Sequence, residues 1–163
     1  MRKSLGDIVN ELTVLEEYQT ITVSRNESGL YTVNVNSMPY IDIALGDNFR
    51  TYNDHNIIHV PRANLDFFPG YREQFVLDTD VKPFVVHLTS AGDGTTNGEE
   101  NGNYLCHPRT NKVSQHFLDE VPDTTRKIEG SLGRFYDDHI DLYPESLFRF
   151  YKRDQSHYKL VVK

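Results

Sequence analysis

Beyond its first nineteen residues the chain keeps its apolar residues in short runs, each long enough for a strand and no longer: TITVSR, LYTVNVN, YIDIAL, PFVVHLTS, NYLCHP, LFRFYKRD and HYKLVVK. In YIDIAL, Ile41, Ile43 and Leu45 fall on one side and Asp42 on the other, the period-two pattern of a half-buried strand. Strands this close together, without regular helical runs between them, rule against a doubly wound parallel sheet and point to an antiparallel barrel or sandwich decorated by helices. The expected fold class is mostly β (α+β), with about seven or eight short strands and about two or three short helices.

Helical signals are few. In SLGDIVNELTVLEE, Leu5, Ile8, Leu12 and Leu15 are at helical spacing behind Ser4 as cap, which predicts one amphipathic packing helix of about three turns. Pro61 suits the first position of a short helix running through Leu65 and Phe68, and Pro69-Gly70 stops it. The last two runs read as a closing hairpin with Tyr158, Leu160 and Val162 on one face and Lys159 and Lys163 on the other. Residues 1–36 are expected to be a helix-and-strand extension packed on a barrel of residues 37–163, one structural domain overall.

The chain has 163 residues, 37% of them hydrophobic, room for one domain with a proper core. Its net charge of −7 has the wrong sign for a protein that coats nucleic acid through phosphate neutralisation, so any such role needs a local basic face. The C-terminus has a local excess: Arg149, Lys152, Arg153, Lys159 and Lys163 against Asp154 alone. Cys106 is the only cysteine, which excludes an intramolecular disulfide. No apolar run approaches a membrane span or signal-peptide core, so a cytoplasmic protein without membrane contact is expected. Ser90 to Gly102 reads as a polar loop. No phosphate-binding glycine loop, nucleophile elbow or CxxC occurs, and neither metal nor cofactor is expected.

Two polar inserts stand out. Between YIDIAL and IIHVP, residues Asp47, Asn48, Arg50, Thr51, Tyr52, Asn53, Asp54, His55 and Asn56 crowd donors and acceptors at a density that a simple turn does not need. The second, HPRTNKVSQH, offers His107, Arg109, Asn111, Lys112, Gln115 and His116. If these project from the barrel as arms, they suit reading a polar surface.

From Tyr40 onward the order of features resembles the N-terminal effector domain of EcoRII-like type IIE restriction endonucleases, which shares a DNA-binding pseudobarrel with the plant B-three domains. The resembling points are a strand, a polar arm containing His55, IIHVP with a short helix ending FFPG, FVVHLTS, an acidic loop, NYLCHP, the basic RTNK and the late YPESLFRFYK. They cover residues 40–163, although the arm lacks that family's glycine richness. The resemblance implies a wrench-like domain gripping double-stranded DNA between two arms, with Asn48, Arg50, Tyr52, Asn53, Asp54, His55 and Asn56 on one and His107, Arg109, Asn111, Lys112, Gln115 and His116 on the other. Arg and Lys suit guanine, Asn and Gln adenine, and acids cytosine. Arg126 and Lys127 would hold phosphates, and the target would be of the CCWGG class. It further implies a chain that is not itself catalytic, fused covalently to a nuclease domain that it regulates.

Two other readings stay open. Asp80-Val81-Lys82 with Asp66 mimics the acid pair and lysine of a metal-dependent nuclease. A β-sandwich module binding carbohydrate or protein would instead present Tyr52, Tyr104 and Phe135 as a flat aromatic platform, whereas two polar arms around a groove would favour DNA.

Overall fold

The computed structural model describes residues 19–90, 102–108, 112–122 and 131–163. The helix expected near the N-terminus and nearly all of the loop from Ser90 to Gly102 lie outside them. The chain divides into two compact units, residues 1–39 and 40–163.

In the first unit β1 (Gln19–Arg25) and β2 (Tyr31–Ser37) pair antiparallel, Gln19 opposite Ser37 and Arg25 opposite Tyr31. Asn26 ties the tip. Its side chain accepts the Leu30 N–H at 2.9 Å, and its carbonyl accepts the Gly29 N–H at 3.0 Å. Gly29, at φ +76, takes the left-handed conformation that the turn requires.

The second unit holds seven strands: β3 (Tyr40–Ala44), β4 (Ile58–His59), β5 (Gln74–Asp78), β6 (Phe84–Ser90), β7 (Asn103–Cys106), β8 (Leu147–Lys152) and β9 (His157–Val162). They form one sheet in the order β3-β8-β9-β5-β6-β7-β4. Three short helices accompany it: α1 (Phe49–Asp54), α2 (Gln115–Glu120) and α3 (Gly133–Asp138), with a 3-10 helix over Arg62–Phe67 directly behind Pro61. The mostly β, α+β expectation holds, with nine strands among the described residues. β8 and β9 form the foreseen hairpin, in which Tyr158 and Leu160 are buried.

One pairing departs from an all-antiparallel arrangement. β5 runs parallel to β9, Leu77 opposite Tyr158. Parallel pairs occur where both faces are covered, and β5 meets that condition. Phe75 and Leu77 enter the main core while Val76 enters a second cluster with Val85, Phe117 and Val121. The same burial makes FVL a continuous apolar run without alternation, so β5 gave no period-two signal.

Ile43 and Ile58, on the two edge strands, share one hydrophobic cluster. The sheet therefore curls until its edges approach, a pseudobarrel-like arrangement. A cleft at this seam is lined by Ile43, Ala44 and Leu45 of β3, Phe49 and Tyr52 of α1, His59 of β4 and Tyr136 of α3. Tyr136 is buried, and its hydroxyl donates to the Ile57 carbonyl at 2.7 Å, tying α3 to the start of β4. Burial raises its pKa, so the hydroxyl remains a donor throughout the working pH range. Tyr136→Phe leaves that carbonyl without its donor and is expected to cost about 1 kcal/mol, read as a lower urea midpoint at unchanged slope. A midpoint equal to wild type would mean that this bond contributes nothing.

Candidate nucleic-acid interface

The register of β4 and β7 decides where the two polar inserts lie. Ile58 is opposite Leu105 and His59 opposite Tyr104. β4 begins at Ile58 and β7 ends at Cys106, one residue past the partner of Ile58. The first insert ends, and the second begins, at the same end of neighbouring strands.

Between them lies the outer face of the sheet. Phe75, Leu77, Phe84, Val86, Leu88 and Leu105 point into the core, so the residues alternating with them face outward. There Gln74, His87 and Cys106 stand in one cross-strand row, and Thr89, Tyr104 and His59 in another. All six are half-buried.

Helix α1 borders this face at β4. Tyr52 stacks on His59, with ring centroids 5.2 Å apart and planes 10° from parallel, and tilts against Tyr104 at 5.8 Å. Helix α2 borders it at β5, where Phe117 and Val121 pack on Val76 and Val85. The approach to α2 is fastened by Gln74, whose Nε2 donates to the Lys112 carbonyl at 2.6 Å and whose Oε1 accepts the Ser114 N–H at 2.9 Å.

Burial lowers the pKa of His59. It also lowers that of His87, assisted by the positive charges of Arg72 and His107. Both rings are thereby held toward neutral imidazole, which carries one donor and one acceptor. Burial, and secondarily Tyr52, raises the Tyr104 phenol, keeping it a hydroxyl. The face is thus an aromatic, hydrogen-bonding floor with little charge of its own.

The first insert folds as a helix over Phe49–Asp54. Phe49 and Tyr52 lean on the seam, and the helix ends on a left-handed Asn56 at φ +57. The Asn56 N–H donates to Asn53 and the Ile57 N–H to Tyr52, the paired bonds of a Schellman stop. Asn48, Arg50, Asp54, His55 and Asn56 are exposed, while Tyr52 and Asn53 are half-buried. His55 Nδ1 lies 2.7 Å from the Thr51 carbonyl and must donate there. Asn56 is turned toward α3: a Cβ on Gly133 would fall 2.8 Å from its Oδ1.

In the second insert His107 is half-buried, and Lys112, Gln115 and His116 are exposed. Gln115 donates to Asp119 at 3.0 Å, and the His116 ring lies 3.9 Å from that of Phe117. Arg109, Asn111, Arg126 and Lys127 lie outside the described residues. Composition does not flag His59, His87 and Thr89, since each sits singly in an apolar strand. The alternation of VVHLT and IIHV was the available signal.

No protein-family model matches the chain, and no curated protein does. Among solved structures, the N-terminal domain of Helicobacter pylori LlaJI.R1 is similar over 77% of this chain and 87% of that one, at 10% identity and a TM-score of 0.42. At that level the likeness says nothing about what this chain binds.

Much of the basic C-terminus is engaged elsewhere. Arg149 donates to both Asp42 oxygens, at 2.7 and 2.8 Å, and lies 4.3 Å from the centre of the Tyr40 ring. Its hydrogen bond holds the Asp42 carboxyl below its usual pKa. Lys152 lies over the rings of Phe67 and Tyr158, and Arg153 is 3.9 Å from Asp78.

The residues of the nuclease reading have local partners. The Thr79 hydroxyl accepts the N–H groups of Val81 and Lys82, both at 3.1 Å, which makes Asp80-Val81-Lys82 a hydrogen-bonded turn. Asp80 is 3.0 Å from His139 Nε2, Lys82 lies over the Phe84 ring, and Asp66 sits exposed in the 3-10 helix. Among the described residues no three His, Cys, Asp or Glu side chains gather as a metal set. The aromatic platform is also incomplete: Phe135 is fully buried in the core, away from Tyr52 and Tyr104 at the surface. No helix among the described residues is long and apolar enough to cross a membrane.

Proposed function

We propose that this chain is a cytoplasmic, non-catalytic, sequence-specific double-stranded DNA-binding module, the effector domain of a type IIE restriction endonuclease acting on a CCWGG-like site. On this reading, DNA held here regulates a covalently attached nuclease domain. The observation that carries it is the juxtaposition of the two polar segments on either side of a half-buried hydrogen-bonding floor.

The dimensions suit the ligand. Four strands, β5 to β4, cover three spacings, about 14 Å, comparable with a major groove about 12 Å wide. From one border Arg50, Asp54 and His55 reach the groove; from the other come Lys112, Gln115 and His116. The floor histidines, held neutral, add no bulk positive charge, consistent with recognition by hydrogen bonds more than by the net charge of −7.

The test is fluorescence anisotropy without metal, comparing a duplex bearing one CCWGG site with a scrambled duplex across a salt series. A preference of at least about a thousandfold is expected. Equal binding to both duplexes, or none at low salt, removes the reading.

A further inference from the structure

The second polar segment is held at both ends by side chains, Gln74 from the border of the floor and His157 from β9. At its entry the Gln74 amide pairs with Lys112 and Ser114 as a neighbouring strand's backbone would, donating at 2.6 Å and accepting at 2.9 Å. At its exit Glu120, the last residue of α2, places Oε1 2.7 Å from His157 Nε2. The other ring nitrogen of His157 lies 3.1 and 3.2 Å from the two Asp154 oxygens.

Carboxylates only accept, so both hydrogen bonds of His157 form together only when both ring nitrogens carry protons, that is, in the imidazolium form. The surroundings agree. Helix α2 contributes Glu120, the β8–β9 turn contributes Asp154, and β5 sets the apolar Val76 opposite His157. The nearby Arg153 donates its backbone N–H to the His157 carbonyl and directs its guanidinium at Asp78.

We propose that Gln74 and His157 are positioning residues that clamp the segment 112–120 against the sheet from its two ends, and that the His157 end opens as pH rises. The clamp presents Lys112, Gln115 and His116 toward the outer face, and this functional half rests on the DNA-binding reading.

The sign is set by opposing effects on the imidazole. Burial pulls its pKa down, but the hydrogen bonds and negative charges of Asp154 and Glu120 together push it above the ordinary histidine value. A folded-state pKa above the unfolded one means that the tie is complete below about pH 6.5 and is lost as pH rises through the folded value.

Amide hydrogen exchange of the full chain without DNA tests this, after correction for intrinsic rates. Exchange over 115–121 is expected to quicken roughly two- to fivefold between about pH 5.5 and about pH 8.5, with β5 and β6 unchanged. His157→Gln should exchange fast at both pH values, and His157→Lys, charged throughout, slowly at both. Gln74→Glu, which cannot donate to Lys112, should loosen the entry at either pH. Wild-type exchange that does not vary with pH, or a His157→Gln chain that keeps the wild-type dependence, overturns the proposal. Because no DNA is present, a duplex preference that fails in anisotropy sinks the DNA reading and leaves the clamp standing.

Discussion

Phe75→Ala is expected to remove about 3–5 kcal/mol of unfolding free energy, measured by urea denaturation followed by circular dichroism. Phe75 has no exposed surface, and its ring centre lies 4.8 Å from that of Tyr158 and 5.9 Å from that of Phe68. It sits on β5, with β9 on one side and β6 on the other, so the backbones around the vacated space are pinned by two ladders. A site held that way collapses little, which places the loss high in its usual range. Folded domains have only about 5–15 kcal/mol in hand, so this one change removes a large share. Val23→Ala, on a side chain 51% exposed in the hairpin, serves as the contrast and should stay within about 0.5 kcal/mol. A Phe75→Ala loss below about 1 kcal/mol would show that the neighbouring side chains close the vacated space after all.

β5 also marks a limit of sequence reading. The strands that were legible, β3 and the β8–β9 hairpin among them, present one face to the core and one to water, and that asymmetry is what a period-two pattern records. Gln74–Asp78 is covered on both faces, by the core and by α2, and leaves no alternation to detect. Its parallel pairing with β9 joins residues some eighty positions apart in the chain, a contact that local pattern does not encode. Helices α1, α2 and α3 escaped for a different reason. Each has six residues, too few for a helical stripe, and each is held by tertiary contacts: Tyr52 on His59, Phe117 on Val76 and Val85, Tyr136 on the Ile57 carbonyl.

The site was legible as two clusters of polar residues but not as a surface. That the clusters share one end of the sheet follows from the β4–β7 register, which two apolar strands of similar composition do not announce. The floor was hidden because single histidines in VVHLT and IIHV look like core residues until their side of the sheet is known. Asn56 carried a readable signal of another kind: asparagine after a short polar run tolerates the left-handed conformation that ends a helix. Its backbone N–H closes the helix on the Asn53 carbonyl, and its side chain lies against Gly133.

Arg50 is the sharper test of base reading. It is exposed on α1, with its guanidinium carbon 5.9 Å from the Phe49 ring centre, and α1 buries none of its side chains. Arg50→Ala is therefore expected to leave the urea midpoint unchanged while weakening the cognate duplex by about 1–3 kcal/mol, roughly five- to 150-fold in Kd. The loss should concentrate on one guanine, because a guanidinium that bonds both acceptors of that base has no equal partner elsewhere in the groove. Arg149→Ala provides the comparison: its guanidinium is committed to Asp42 and Tyr40, so cognate and scrambled duplexes should respond alike and weakly. Competition titrations with duplexes altered one base pair at a time separate the cases. If Arg50→Ala weakens every duplex equally, Arg50 meets phosphate alone, and specificity must come from the second segment or from the His59–Tyr104 floor.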